Sequence, residues 1–248
     1  MKDEDIKRIV KENYSKIASS NCGCSCGCGD SNNNELIARS LGYSDTQIGN
    51  VSEANLGLGC GNPTALGEIK EGETVLDLGS GAGLDCFLAA DKVGERGRVI
   101  GVDLTETMVQ KATQNAKKYK YNNVEFRQGD IENLPIDDDS VDVILSNCVI
   151  NLVPDKKKAF KEAYRVLKKG GKMYISDIVL LQNLSDDLRK NEMLLVSCIA
   201  GAILKEDYLK IIKDTGFEIS TTTSDEEISI RQYWGLPLES LSIVAKKR

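Results

Sequence analysis

The 248-residue chain contains no histidine. Any scheme that needs an imidazole base is thereby excluded, as are the commonest mixed histidine–cysteine zinc sites. A membrane-spanning apolar run is also missing. The longest candidate, residues 193–204, is interrupted by Ser197, Cys198 and Gly201 and reads better as a buried helix. Nor is there a basic excess: 32 Lys and Arg stand against 38 Asp and Glu, a net charge of −6 that argues against nucleic acid as a partner. The charged, acidic start at residues 1–5 has no signal-peptide core behind it. A cytoplasmic protein that neither enters nor rests on a membrane is expected.

What the chain does have is cysteine, eight residues in all. In a cytoplasmic protein these point to ligands or redox thiols rather than a disulfide framework. Four of them, Cys22, Cys24, Cys26 and Cys28, alternate with glycines and a serine, a pattern unsuited to a helix and poor for a strand. Two readings stay open for this tract: thiols that carry no chemistry, or a cluster that captures a soft ion or shuttles disulfides. Cys60 stands between glycines in Leu58-Gly59-Cys60-Gly61-Asn62-Pro63, which leaves its sulfur accessible, and Asn62-Pro63 should open a helix over 64–69. Taken alone, Cys60 reads as a small residue buried in a turn, and Cys86, one turn into the helix after the glycine motif, reads as a structural residue with a role as disulfide partner as the alternative.

The chain is organised around Val75-Leu76-Asp77-Leu78-Gly79-Ser80-Gly81-Ala82-Gly83-Leu84, an apolar strand, a glycine turn and a helix start. Gly79, Ser80, Gly81 and Gly83 let a ligand approach the backbone. Asp77 narrows the ligand further, because a carboxylate there repels a pyrophosphate and attracts an ammonium or sulfonium group. A second strand, 98–103, ends in Asp103, placed to accept hydrogen bonds from two ribose hydroxyls, with Leu104 beside it. A third, 124–127, runs into Gly129, Asp130 and Ile131, which could bracket an adenine. Met108 reads equally as an adenine contact or a core residue.

Strands and helices then alternate: helices over 84–93, 105–119 and 156–168, strands over 141–146 and 172–178. Repeated βα units predict a mostly parallel sheet with helices on both faces and ligands at the strands' carboxyl ends. Helices are expected at 3–18, 34–41, 185–200 and 205–215. Segments 217–222, 228–234 and 240–246 read as terminal strands forming an antiparallel hairpin. Residues 1–50 are expected to be an appendage, a helix plus the cysteine-rich tract. Residues 51–248 should be one domain with a lid near 179–215.

From residue 74 to residue 177 these features resemble the class I S-adenosylmethionine-dependent methyltransferases, an α/β Rossmann-like fold with a seven-stranded sheet. The motif around Cys60, the run Asp77 to Cys86, Ser146-Asn147-Cys148-Val149-Ile150-Asn151-Leu152 and Cys198-Ile199-Ala200-Gly201-Ala202 are similar to those of the arsenite S-adenosylmethionine methyltransferases, and this likeness extends over residues 50–201. The resemblance implies S-adenosylmethionine as cofactor, with Asn147 among the residues near it, and arsenite or its thiol conjugates as substrate. It implies that Cys60, Cys148 and Cys198 hold the arsenic, and that arsenic detoxification is the role. It also implies re-reduction of arsenic through a cysteine disulfide, with thioredoxin or a small thiol as reductant. Cys22, Cys24, Cys26 and Cys28 are the candidates for that relay, although their alternation departs from the pair expected of the family. A monomer is expected. Two other readings compete. One is methylation of a small organic acceptor such as a quinone or sterol, which leaves the three cysteines unexplained. The other is a non-catalytic thiol protein that sequesters zinc or arsenite, which leaves the cofactor motif without use.

Overall fold

A computed structural model describes residues 1–19 and 31–248, so Cys22, Cys24, Cys26 and Cys28 lie outside the described residues. The chain opens with α1 (Asp3–Ser19), which buries Ile9, Val10, Ile17 and Ala18 along one face, as their helical spacing predicts. Asp3, Glu4 and Asp5 in its first turn favour the positive end of the helix dipole. Two short helices follow, α2 (Ser31–Ser40) and α3 (Asp45–Asn50). The second starts at a capping box in which Ser44 and Gln47 satisfy each other's backbone N–H groups.

The alternating part comprises β1 (Thr74–Leu78), α4 (Leu84–Val93), β2 (Arg98–Asp103), α5 (Glu106–Tyr119), β3 (Val124–Gln128), β4 (Val141–Asn147), α6 (Lys156–Val166) and β5 (Leu167–Leu180). The remainder is α7 (Asp186–Arg189), α8 (Glu192–Val196), α9 (Lys205–Asp214), β6 (Phe217–Asp225), α10 (Ile228–Gln232) and β7 (Leu238–Lys247). The seven strands form one sheet in the order β3-β2-β1-β4-β5-β7-β6. Strands β1 to β5 run parallel, and β7 pairs antiparallel with both β5 and β6. The direction of winding reverses between β1 and β4, and this switch point leaves a crevice at their carboxyl ends. β1 and β4 are buried almost throughout because both of their faces are covered.

Several expectations need correction. The helix expected over 185–200 is two helices, because the Asn191 side chain accepts from the N–H groups of Met193 and Leu194 and so caps a new start. The strand expected over 228–234 is the helix α10. Ile228 and Ile230 look like strand alternation, yet Ile228 is fully buried whereas Ile230 is 81% exposed. Trp234 and Gly235, both at positive φ, close that helix with the Gly235 N–H on the Ser229 carbonyl. The helix expected over 64–69 is a single 3-10 turn, Pro63–Ala65. The chain leaves it at Gly67, which lies so close to the Tyr174 ring that a Cβ there would collide with it.

The first helix is no appendage, since its apolar face has to be covered and the body of the domain covers it. Val10 joins the cluster that contains Cys60, Cys148 and Cys198, and Ile17 packs with Leu56, Ala82 and Met108. Lys7 forms ion pairs with Asp130 and Glu132, and the Tyr14 hydroxyl donates to the Val196 carbonyl at 3.1 Å. The segment after α8 is fastened from beneath as well. Gly201 lies against the Asn151 carbonyl so closely that any Cβ would strike it. We expect Gly201→Ala to cost about 1–3 kcal/mol by overpacking, read as a lower urea midpoint with an unchanged slope. An unaltered midpoint would mean that the segment after Cys198 does not pack on the loop after β4.

Candidate active site

The carboxyl ends of β1, β2 and β4 open into a cavity of about 450 Å³. On one side the glycine turn is pinned beneath β2, with the N–H groups of Gly79 and Ser80 both donating to the Val102 carbonyl, at 2.8 and 3.0 Å. Gly79 has φ +65° and meets the Val149 side chain, so neither its conformation nor its surroundings tolerate a Cβ. Asp103 steadies the turn: its carboxylate accepts from Gly81 N–H at 2.9 Å and from Thr105 N–H at 2.8 Å. Ser80 Oγ is buried with no hydrogen-bond partner, a polar atom left for a ligand to satisfy.

Asp77, on β1, is only 3% exposed. Burial and the neighbouring Asp85 carboxylate push its carboxyl well above the usual range. The Cys86 thiol donates to it at 3.3 Å. Asp85 accepts from the Tyr43 hydroxyl at 2.7 Å and from Asn147 Nδ2 at 3.1 Å. Asp77, Asp85, Asp103 and Asp130 all line the cavity, with Lys7 and Arg231 as the cations on its wall. Since Lys7 is engaged by Asp130 and Glu132, the inner acids face the space uncompensated. This donor set and the unsatisfied Ser80 hydroxyl suit S-adenosylmethionine, which carries an ammonium and a sulfonium.

Asp77, Gly79, Ser80, Gly81, Asp103, Leu104, Asp130, Ile131 and Asn147 therefore share one wall. Gly83, Met108 and Gly129 are not on it. Gly83 caps α4, and the Gly129 N–H donates to the Asp103 carbonyl. Met108 is fully buried against Ile17, Ala18, Leu56 and Ala82, the core alternative of its two readings.

The other side of the cavity carries sulfur. Cys148 directly follows β4 and Cys198 directly follows α8's C-cap, Ser197, and both line the cavity. Cys60 is buried beyond the wall, its N–H donating to Asn147 Oδ1 at 3.1 Å and its carbonyl accepting from Ser240 Oγ at 2.7 Å. The Cys60 and Cys148 thiols and the Asp177 carboxylate lie within 4.8 Å of one another. Cys60 Sγ reaches the Ser176 carbonyl at 3.5 Å, and Cys198 Sγ reaches the Cys148 carbonyl at 2.8 Å. Cys148 and Cys198 have φ of +59° and +65°. That conformation costs a side-chain-bearing residue about 1–2 kcal/mol, and here it brings two distant thiols together. Burial raises the thiols of Cys60 and Cys148, and the bond to Cys148 followed by burial raises that of Cys198. All three are free thiols, and without an occupant this pocket favours them protonated.

Residues 69–216 match the family described as "Methyltransferase domain". The chain is 42% identical to the arsenite methyltransferase of Halobacterium salinarum over 98% of its own length and 67% of that protein's. It is 41% identical to the arsenite methyltransferase of Aquipseudomonas alcaligenes over 73% of this chain and 53% of that one. Among solved structures it is similar to an arsenic(III) S-adenosylmethionine methyltransferase from Chlamydomonas reinhardtii, with TM-score 0.64, 34% identity, and coverage of 85% of this chain and 72% of that one. The chain belongs to the arsenite methyltransferase family. It thus spans 67% and 53% of the two curated relatives named here. It is an S-adenosylmethionine-dependent methyltransferase.

Sequence reasoning missed several groups of this arsenite methyltransferase site. Asp85 sits inside the quoted glycine motif but was given no role, and Tyr43 and Tyr14 come from helices or loops thought peripheral. Asp177 is a strand-end acid, the same signal that singled out Asp103, but the chemistry it serves is visible only once Cys60 and Cys148 are beside it. Cys86 is fully buried in the cluster of Val75, Ala89 and Leu145, in keeping with its structural reading.

The raised carboxyls have a measurable consequence. A carboxyl whose folded pKa lies above its unfolded value contributes stability at low pH that is lost as the pH rises through the folded value. Asp177 is pushed up to about 7 by burial, and Asp77 is raised as well. The ligand-free protein should therefore melt at a lower temperature at pH 8 than at pH 6. Asp77→Asn should reduce that difference and weaken S-adenosylmethionine binding by at least about tenfold. A melting temperature unchanged from pH 6 to pH 8 in the unsubstituted protein would contradict this electrostatic account.

Proposed function

We propose that this chain methylates trivalent arsenic, taking arsenite or its thiol conjugates as substrate and holding the arsenic on Cys60, Cys148 and Cys198. The observation that carries the reading is that Cys60, Cys148 and Cys198 share one buried cluster beside the cavity that the glycine turn and Asp77 form, with the Cys60 and Cys148 sulfurs close together and Cys198 Sγ on the Cys148 carbonyl. Arsenic(III) is soft, and thiolates are the softest ligands a protein offers. Each thiol replaces one hydroxide of arsenous acid, its proton leaving with that hydroxide as water, so that neutral protein thiols give a neutral tris-thiolate. Raised thiol values therefore do not hinder loading.

Bound in the cavity, S-adenosylmethionine supplies an electrophilic methyl group on a sulfonium. The protein's share is placement. Asn147 sets the distance between the two halves: its Nδ2 donates to Asp85, Tyr43 and Gly61 while its Oδ1 accepts from Cys60 N–H. Alignment of this kind is worth about 7–11 kcal/mol in favourable cases. The arsenic lone pair is the nucleophile and carries no proton, so no base is needed, in keeping with a chain that lacks histidine. Buried Tyr233 and half-buried Tyr14, both packed in the cluster of the three thiols, keep water from competing.

Methylation takes arsenic to the pentavalent state. Two of its thiolates coupling as a disulfide would return two electrons to it, and thioredoxin or a small thiol would then reduce that disulfide. Cys22, Cys24, Cys26 and Cys28 are the proposed relay, in a protein that acts as a cytoplasmic monomer. The deciding experiment is transfer of labelled methyl from S-adenosylmethionine to arsenite with excess thiol. Cys148→Ser and Cys198→Ser should each lower it by about a hundredfold or more while cofactor binding stays within a factor of about two. Retention of full transfer by both variants would refute the tris-thiolate mechanism, and no labelling of arsenic by the unsubstituted protein would refute the substrate.

A further inference from the structure

The placement of the buried carboxylates contains more than the three thiols require. A tris-thiolate of arsenic(III) is neutral and gains little from a fourth anionic group. Yet Asp177 is fully buried on β5, one residue past Ser176, which pairs with the last residue of β4, and it lies within 4.8 Å of the Cys60 and Cys148 sulfurs. It accepts from three donors, Asn151 Nδ2 at 2.8 Å, the Tyr208 hydroxyl at 2.9 Å and the Ile178 N–H at 3.0 Å. All three are neutral. The buried cation nearby, Lys156, makes no ion pair with it, and its Nζ reaches only the Val153 carbonyl at 3.5 Å. The Asp177 carboxylate is thus fixed by neutral donors and has no ion-pair partner, with Lys156 acting on it only through space, a costly arrangement in a dry interior.

The reaction provides the missing positive charge. The arsenic lone pair forms the new As–C bond as the C–S bond breaks, and the electrons of the broken bond stay on the departing thioether sulfur. Sulfur becomes neutral, and the arsenic, now pentavalent with three thiolates and a methyl group, carries one positive charge. We infer that Asp177 is the counter-ion on which that charge lands, an electrostatic partner of methyl transfer fixed in position beforehand by Asn151, Tyr208 and the backbone. Asp77 and Asp177 then divide the work, one facing the charge before transfer and the other after it. A fixed carboxylate that meets charge only as it develops lowers the barrier without tightening ground-state binding. The inference rests on the arsenic reading above and adds a residue to it.

Asp177→Asn keeps the shape and removes the charge. With saturating cofactor and arsenite, the single-turnover rate of the first methylation should fall roughly ten- to a hundredfold. Arsenic bound per protein, the arsenite dissociation constant and the S-adenosylmethionine dissociation constant should each stay within a factor of about two, because none of those states places a cation at Asp177. Asp177→Glu should recover part of the rate. Should Asp177→Asn fold poorly, Tyr208→Phe removes one fixing hydrogen bond and should slow the same step by roughly three- to tenfold with arsenite binding intact. An unchanged rate in whichever variant is folded would overturn the inference. So would loss of arsenite binding in that variant, since Asp177 or its support would then belong to the ground-state ligand set. If the unsubstituted protein binds but does not methylate arsenite, the underlying reading fails instead.

Discussion

The structure depends on burying negative charge, and groups ready to become negative, at the carboxyl edge of one sheet. Asp77 and Asp103 end or nearly end β1 and β2, Asp177 lies on β5 one residue past the partner of β4's last residue, and Asp85 follows one turn into α4. A globular core has no reason to collect such groups, because each costs desolvation that hydrogen bonds offset only in part. What holds them is a layer of neutral donors: Gly81 and Thr105 N–H on Asp103, Tyr43 and Asn147 on Asp85, Tyr208 and Asn151 on Asp177. These donors are themselves locked by packing, so the acids cannot turn away from the cavity. The acids nearest the glycine turn, Asp77 and Asp85, thereby suit a positively charged ligand.

Asn147 couples this electrostatic half to the thiol half. It leaves the end of β4 and binds the Cys60 loop, Asp85 and Tyr43 with a single amide. Gly59 lies directly beneath it at φ +105°, where a Cβ would meet the amide at 2.9 Å. The loop before β1 can approach the end of β4 only because no side chain intervenes. Two segments more than 80 residues apart in sequence are thereby set in register by one side chain.

Much of this was legible in the sequence, for identifiable reasons. The glycine turn, Asp77, Asp103 and the βα alternation follow local periodicity and turn chemistry, and β1, β2 and α4 fall where expected. The mostly parallel sheet with an antiparallel end follows from the same pattern, whereas the strand order is a tertiary property that local periodicity does not encode. The errors arose where tertiary contacts override local signals. Ile228 and Ile230 alternate as in a strand, but neighbouring residues at positive φ close a helix instead. Asn191 reads as an ordinary helical residue until its side chain captures two N–H groups. The first helix looked detachable because sequence shows an apolar face but not what covers it. Cys60, Cys148 and Cys198 could be singled out individually, whereas the closeness of Asp177 to two of them could not.

The positive φ at Cys148 and Cys198 bears on how the site balances rigidity against turnover. Cys60 and Cys148 are anchored to the sheet, Cys148 through its N–H on the Ser176 carbonyl at 2.8 Å. Cys198 follows α8, whose end is held by Tyr14 from α1 on one side, while Gly201 contacts the Asn151 loop on the other. The left-handed backbone at Cys198 is thus restrained both by α1 and by the loop after β4. That makes the N-terminal helix part of the site's mechanics, since it closes one side of the cavity with Tyr14 while Lys7 engages Asp130 on the cofactor side.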